Sequence, residues 1–522
     1  MIPILRLASI PVFVWLFLLL NAALAAPPVP SALFSDGAVL QRDRELPVWG
    51  YASPGDRIVV EFGRRRATAI AADDGRWLAT LPAFAASAEG RTLRISGPGG
   101  SVEAKDVLVG EVWLGSGQSN MQWTISQVRS EDQEAALAAG PIPRLRYFHV
   151  PREASLERRT SVDAAWQHTS PETVREFSAV AYFFGRNLVE ELGVPVGMIH
   201  SSWGGAFIEP WWADEGLDGI DELAAVRAHR RARSPGFPEY ERILSEHQAA
   251  ERAWHDAAAA ATDLGRPLPP RPEIEQLDVG HRSEAGTYQA MIHPLVPYAL
   301  RGFLWYQGES NNGDGMDYFH KKRALIAGWR QAFRNPEAPF LYVQLAPYNY
   351  GEDRAHSLPE FWAAQQACLQ IPHTGMAVTM DIGDVKDIHP GNKFEVGRRL
   401  ALWALADTYG RSDLVKSGPL YAGVLALEDR LEVRFDYTGS GLITRDGSAP
   451  DFFEVAGADG IFHPADAEIG VGGDTVLLRS EAVPQPQRAR FAWRQDAEPN
   501  LMNREGLPAA AFDTHWPSTA ED

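Results

Sequence analysis

Val112-Trp113-Leu114-Gly115-Ser116-Gly117-Gln118-Ser119-Asn120-Met121-Gln122-Trp123 decides how the chain is read. The apolar run from Val107 to Leu114 carries Val, Leu and Trp at the density of a buried strand. It breaks on Gly115, Ser116 and Gly117, so Ser119 stands where that strand ends and the chain turns outward. In an open parallel α/β sheet, ligands bind at this end of the strands. Two readings fit Ser119: a nucleophile presented to a cleft beside backbone N–H groups, or a turn residue or helix N-cap.

Around this stretch, residues 106–410 alternate strand and helix patterns, which predicts an α/β fold with a parallel sheet flanked by helices. Expected strands are Val107–Leu114, Arg144–Val150, Val196–Ser201, Gly302–Tyr306, Phe340–Leu345 and Gly375–Asp381. Expected helices include Val174–Leu192, Tyr318–Phe333 and Lys393–Tyr409. Residues 215–275, rich in Ala, Arg, Glu and His and closing on Pro267-Leu268-Pro269-Pro270-Arg271-Pro272, read as a helical insertion. The pattern is that of a helix pair returning through a stiff proline segment, serving as a spacer or as a mobile wall of a cleft.

Both flanks read as β-rich. Residues 27–105 hold short apolar runs at Leu46–Trp49, Arg57–Phe62, Arg76–Leu81 and Thr92–Ile95, separated by turn signals such as Asp73-Asp74-Gly75, the rhythm of a small accessory β-sandwich. Residues 415–522 repeat that rhythm at Val424–Leu427, Leu431–Phe435, Thr475–Leu478 and Arg488–Trp493, either as a separate module or paired with the N-terminal β region.

With 522 residues the chain is too long for one core. Its net charge of −19 argues against a nucleic-acid partner, whose phosphates it would repel. The 16 Trp and 14 Tyr suit a sugar-binding surface as a set, although any single one is ordinary core material. Arg6, the apolar stretch Ile10 to Leu20 and Ala23-Leu24-Ala25 make residues 1–25 a signal peptide. The apolar run is short against the roughly 20 residues of a membrane span, so no membrane association is expected after its removal. Cys368 is the single cysteine, which leaves no intramolecular disulfide and suggests a bacterial periplasmic or secreted protein.

Three further stretches fall at strand ends. In Ile199-His200-Ser201-Ser202-Trp203-Gly204-Gly205-Ala206, the adjacent glycines let the backbone approach a ligand, or simply make a tight turn. In Trp305-Tyr306-Gln307-Gly308-Glu309-Ser310-Asn311, polar Gln307, Glu309 and Asn311 crowd the end of an apolar strand, or cap a helix. In Asp381-Ile382-Gly383-Asp384-Val385-Lys386-Asp387-Ile388-His389-Pro390, a histidine lies near three aspartates. That is a base with an orienting carboxylate, or a solvated acidic loop; the spacing is not that of a helical metal site. A serine hydroxyl needs such a base, and the oxyanion formed in acyl transfer needs fixed donors.

These blocks resemble those of the sialate O-acetylesterase-like carbohydrate esterases, a branch of the SGNH (GDSL-like) hydrolases. Gly117-Gln118-Ser119-Asn120-Met121, Ser202–Ala206, Trp305–Asn311 and Asp387-Ile388-His389-Pro390 match the family's four blocks in order. Leu33–Arg42 and Met291–Leu295 add to the likeness. The resemblance implies an SGNH-type domain with Ser119 as nucleophile, His389 as base and Asp387 as its carboxylate partner. It implies an oxyanion hole from the Ser119 amide, Gly204 or Gly205, and the Gln307 side chain. The family's acid usually stands three residues before the histidine, where this chain has Lys386, so Asp384 and a backbone carbonyl remain alternatives to Asp387. Asn120, Trp203, Glu309 and Asn311 are expected to support the site or touch substrate, and His293 to be structural.

The resulting expectation is an exported O-acetylesterase acting on an O-acetylated carbohydrate, without metal or cofactor. Acetylated hemicellulose such as xylan or xyloglucan is favoured over O-acetyl sialic acid. A non-catalytic carbohydrate-binding protein is the competing class. The sequence leaves the oligomeric state open.

Overall fold

The computed structural model describes residues 26–232, 234, 236–272, 280–283 and 286–515. The signal peptide expected over residues 1–25 lies outside the described residues. Among the described residues, no helix is long and apolar enough to cross a membrane.

The molecule is built on a mixed α/β core with further sheets at either side. The strands of the central sheet are β1 (Gly100–Gly117), β2 (Leu145–His149), β3 (Trp166–His168), β4 (Val196–Ser202), β5 (Gly302–Tyr306), β6 (Phe340–Val343) and β7 (Thr374–Ala377). Their spatial order is β3-β2-β4-β1-β5-β6-β7. All neighbours run parallel except the edge strand β3, which pairs antiparallel with β2. Every residue of β4, β5, β6 and β7 is buried, which is why these strands do not alternate apolar and polar residues; His200, Ser201 and Ser202 at the end of β4 are buried polar exceptions to its apolar run.

The helices are α1 (Ser119–Gln122), α2 (Ser130–Ala138), α3 (Ala179–Leu192), α4 (Ala224–Ala232), α5 (Pro238–Asp263), α6 (Asp317–Ala332), α7 (Ser357–Ala367) and α8 (Lys393–Trp403). Helices α3 and α8 pack on each other, and α6 packs on α7. Gly397 makes the first approach possible: a Cβ there would lie 2.6 Å from the Phe183 side chain.

Strand β1 is the spine. Its first half pairs with Ser87–Gly97 and with Val39–Gln41, and its second half pairs with β4 and β5. The change from β-rich flank to α/β core, expected near residue 105, thus falls inside one uninterrupted strand. Glu111, fully buried midway along it, accepts hydrogen bonds from Arg301 (2.8 and 3.1 Å), Gln41 (3.0 Å) and Arg42. The strands of residues 415–522 form sheets among themselves, and none described here pairs with the N-terminal β region.

Three elements differ from the sequence pattern. The strand expected to run to Asp381 ends at Ala377, because the following residues leave the sheet to form the histidine loop. The helix expected over Val174–Leu192 breaks before Ala179, where Ser178 caps α3 by accepting from the Ala181 N–H and donates to the Met121 carbonyl (2.6 Å). Helix α8 gives way at Ala404 to a π-helical turn.

The insertion contains α4 and α5. Helix α5 spans 26 residues but buries only Tyr240 and Ile243. The proline segment folds back along it: Trp254 donates to the Pro269 carbonyl (2.9 Å), and Arg271 pairs with Glu251 (2.9 Å).

Candidate active site

β4, β1 and β5 end side by side, with Gly117 opposite both Ser202 and Tyr306. Gly117 has φ +137°, and a Cβ there would lie 2.1 Å from the Tyr306 carbonyl oxygen. Only glycine lets the chain cross so close to β5 before turning. The Gln118 N–H then donates to the Tyr306 carbonyl (2.9 Å), and Ser119 opens α1. As a first-turn residue, Ser119 has an N–H without an intrahelical acceptor.

The loop after β7 brings the histidine. The Asp387 N–H donates to the Asp384 carbonyl (2.9 Å), and the His389 N–H donates to Asp387 Oδ1 (2.9 Å). This tight turn delivers His389 Nε2 to 2.9 Å from Ser119 Oγ, across 270 residues of sequence. The Asp387 carboxylate stands 4.0 Å from His389 Nδ1, with its side chain 55% exposed. The Asp384 carboxylate instead accepts the Lys386 N–H (2.8 Å). The His389 imidazole is held below its ordinary pKa, first by burial and then by the nearby Lys393 ammonium, with Asp387 opposing. A histidine shifted this way is unprotonated, and so a base, at neutral pH.

The glycine block reaches the same place. A Cβ on Gly204 would lie 3.5 Å from the Ser119 Cβ. The Gly204 N–H donates to Gln122 Oε1 (2.7 Å), and Gly205 adopts φ +74°. Trp203 stacks on His281 at 4.7 Å and 9°.

Gln307, an expected oxyanion donor, is engaged within the fold in this structure. Its side chain is fully buried, and its amide nitrogen donates to the Ala206 carbonyl (3.1 Å) and to Asn311 Oδ1 (2.7 Å). Its oxygen accepts from Tyr318 (2.8 Å). Both amide protons are committed, because a buried amide left unpaired is costly. Gln307 therefore braces the glycine block against β5. Asn311 continues the brace, accepting from the Ile208 N–H (2.9 Å) and donating to Glu209 (3.1 Å) and Asp314 (2.9 Å).

Asn120 and Glu309 meet beside Ser119. Asn120 Nδ2 donates to Glu309 Oε1 and to the Ile388 carbonyl (3.0 Å), while Asn120 Oδ1 accepts from Lys393 Nζ. His293 lies apart from this group and contacts the Arg159 carbonyl through Nδ1 (2.8 Å).

Four residues at the site escape a reading of the blocks. Trp123 stacks on His389, Lys393 bonds Asn120, and His281 and Arg282 border the glycines, with Arg282 Nε donating to the Gly205 carbonyl (3.1 Å). Trp123 and Lys393 each sit four residues beyond a catalytic candidate, Trp123 just past α1 and Lys393 at the start of α8, and that proximity was the available signal.

Residues 277–405 match the SASA family, described as carbohydrate esterase, sialic acid-specific acetylesterase. The sialate O-acetylesterase of Mus musculus is 30% identical over 408 residues, covering 72% of this chain and 72% of that protein. That of Rattus norvegicus is 30% identical over 433 residues, covering 74% and 75%. The chain belongs to the sialate O-acetylesterase family. A solved carbohydrate acetylesterase from Xanthomonas citri superposes with a TM-score of 0.77 at 36% identity, covering 93% of this chain and 99% of that one. The family member described here is a carboxylic ester hydrolase, a carbohydrate acetylesterase, which removes the binding-protein class from consideration.

Proposed function

We propose that this carbohydrate O-acetylesterase works by serine acyl transfer in an SGNH-type site and takes acetylated hemicellulose oligosaccharides such as xylan or xyloglucan. The observation that carries the mechanism is the 2.9 Å contact between Ser119 Oγ and His389 Nε2. His389 takes the Ser119 proton as Oγ attacks the acetyl carbonyl. The oxyanion settles against the Ser119 N–H and one glycine N–H, that of Gly205 or that of Gly204 once it releases Gln122 Oε1. Asp387 faces Nδ1 and stabilises the imidazolium, closing from its present 4.0 Å in the complex. His389 then protonates the departing sugar oxygen. Water, deprotonated by the same base, attacks the acetyl-serine, and collapse of that second intermediate releases acetate and restores Ser119.

The net charge of −19, the aromatic content and the export signal read at residues 1–25 support a neutral plant oligosaccharide. One observation favours O-acetyl sialic acid instead. Arg282 borders Gly205, donating from Nε to its carbonyl with its guanidinium 5.8 Å from the Phe207 ring, and a guanidinium pairs well with a sugar carboxylate. Acetate release from acetylated xyloglucan and xylan oligosaccharides, run beside O-acetyl sialic acid, tests the choice. Release from the plant substrates that vanishes in Ser119→Ala supports the proposal. Release from sialic acid alone, lost in Arg282→Ala, reverses the substrate while keeping the mechanism.

A further inference from the structure

Behind Ser119 and His389 lies a chain of buried polar groups with no part in the acyl-transfer steps. Lys393, the first residue of α8, is completely buried. Its ammonium donates to Asn120 Oδ1 and stands 5.0 Å from the Tyr306 ring and 5.8 Å from the Trp123 ring. Asn120 passes the connection on through Nδ2, to Glu309 Oε1 and to the Ile388 carbonyl at 3.0 Å. Glu309 Oε2 is buried without a partner among the described residues. Asn120 directly follows Ser119, and Ile388 directly precedes His389. One carboxamide therefore ties the backbone beside the nucleophile to the backbone beside the base, and Lys393 fixes that carboxamide's orientation.

We propose that Lys393 is a positioning residue: through Asn120 it clamps the His389 loop onto α1, and through its charge it keeps His389 in the base form. The proposal rests on the reading of Ser119 and His389 as nucleophile and base.

A buried ammonium is expensive and is kept where it performs a task. Burial brings Lys393 down to about 7, against the opposing pull of Glu309, Asp387 and Asp132. These acids act on it through space, with their hydrogen bonds spent elsewhere. Asp132 accepts from the Phe394 N–H (2.8 Å) and from Arg129 (2.7 Å), and Asp387 accepts from the His389 N–H (2.9 Å). Elsewhere on the loop, Asp384 accepts the Lys386 N–H and Asp381 pairs with Arg399. Below neutral pH Lys393 is charged, in the range where His389 would otherwise gain a proton. Lys393 and Asp387 are the charges acting on the imidazole, and they oppose each other.

The test is the pH dependence of kcat/KM on an aryl acetate for Lys393→Met and Lys393→Gln, with folding followed by circular dichroism. Lys393→Met loses both bond and charge. Its plateau kcat should fall at least about tenfold with KM nearly unchanged, since small misplacements of catalytic groups are costly. Its acid limb should move up by about one pH unit. Lys393→Gln keeps a donor for Asn120, so it should recover most of the plateau but keep the displaced limb. A merely structural lysine would change stability without moving the limb. A folded Lys393→Met with the wild-type plateau and limb overturns the proposal. If neither variant folds, the His389 imidazole is titrated by nuclear magnetic resonance in the Ser119→Ala protein. Burial alone lowers that pKa, so the shape of the curve decides: a second inflection of the His389 resonances at about 7, where Lys393 sheds its charge, upholds the charge effect, and a single inflection overturns the proposal. Failure of the underlying reading is separate: wild-type activity would then survive Ser119→Ala or His389→Ala.

Discussion

The Trp123 indole lies flat against the His389 imidazole, with ring centroids 4.7 Å apart and planes 18° from parallel. Trp123 stands just past α1, whose first residue is Ser119, so the segment that presents the proposed nucleophile also supplies the surface on which the proposed base rests. Stacking fixes the rotation of the imidazole, and that rotation aims Nε2 at Ser119 Oγ. Trp123→Ala should lower kcat by about 10- to 100-fold with little change in KM, the signature of a misplaced catalytic group. Trp123→Phe should retain most of the rate. Steady-state kinetics on an aryl acetate and on the acetylated oligosaccharide check this, and an unchanged kcat in Trp123→Ala would remove the imidazole-orienting role.

The histidine loop makes unequal demands on its two aspartates. Asp387 faces His389 Nδ1, whereas the Asp384 carboxylate holds the turn through the Lys386 N–H. Asp387→Asn should therefore reduce kcat by about 10- to 100-fold; the exposure of its carboxylate softens the charge effect. Asp384→Asn should stay within a few-fold of wild type. Equal losses in the two variants would place the acid elsewhere.

The residues that meet around Ser119 were largely legible in the sequence because the proposed acyl transfer constrains residue types tightly. The strand before Ser119, the glycines after β4 and the histidine after β7 were all marked by apolar runs that break on small or polar residues. What the sequence concealed were second partners. Nothing in Trp-Tyr-Gln-Gly-Glu says that Gln307 spends both amide protons on Ala206 and Asn311, because those acceptors are placed by folding. Lys393 reads as an ordinary helix-start lysine, and its burial arises from the packing of α8 against the strand ends. The length of β1 was underestimated for a related reason. Residues 100–106 are exposed apart from Ala104, so the apolar pattern begins only at Val107.

His200 imposes a pH dependence on stability from outside the active site. Its ring is buried in β4, with Nε2 2.6 Å from Ser202 Oγ and Nδ1 3.0 Å from His149 Nδ1. Burial, and then the neighbouring His149, push it well below the ordinary histidine value. The unfolded chain takes up this proton near pH 6.5 while the native protein does not. The unfolded state thus binds more protons below that pH, and stability falls as the pH is lowered through it. One such histidine contributes a slope of up to about 1.4 kcal/mol per pH unit. Urea unfolding of wild type and His200→Gln between pH 5 and 8, a range of about three units around the histidine pKa, should show a flatter dependence in the variant. Parallel curves would exclude His200 as the source.

Glu111 should matter to stability and not to chemistry. It sits on β1 before the turn to Ser119, fully buried, with Arg301 and Arg42 against it and Gln41 completing its hydrogen bonds. Those bonds hold its carboxyl below the usual carboxylate range despite the opposing effect of burial. Gln41 turns its own oxygen to the Val112 N–H (2.9 Å), so the cluster also fixes the strand's register against the N-terminal β region. Removing one partner of a buried ion pair strands the other, at a cost of about 3–5 kcal/mol. Here the arginines retain some water contact, so the lower end of that range applies to Glu111→Ala. Glu111→Gln should be milder, because it keeps an acceptor. Chemical denaturation should show the loss, while kcat of the folded fraction stays within about twofold of wild type, as expected for a group remote from the reacting atoms. A large fall in kcat without a fall in stability would mean that the strand transmits this cluster's geometry to Ser119.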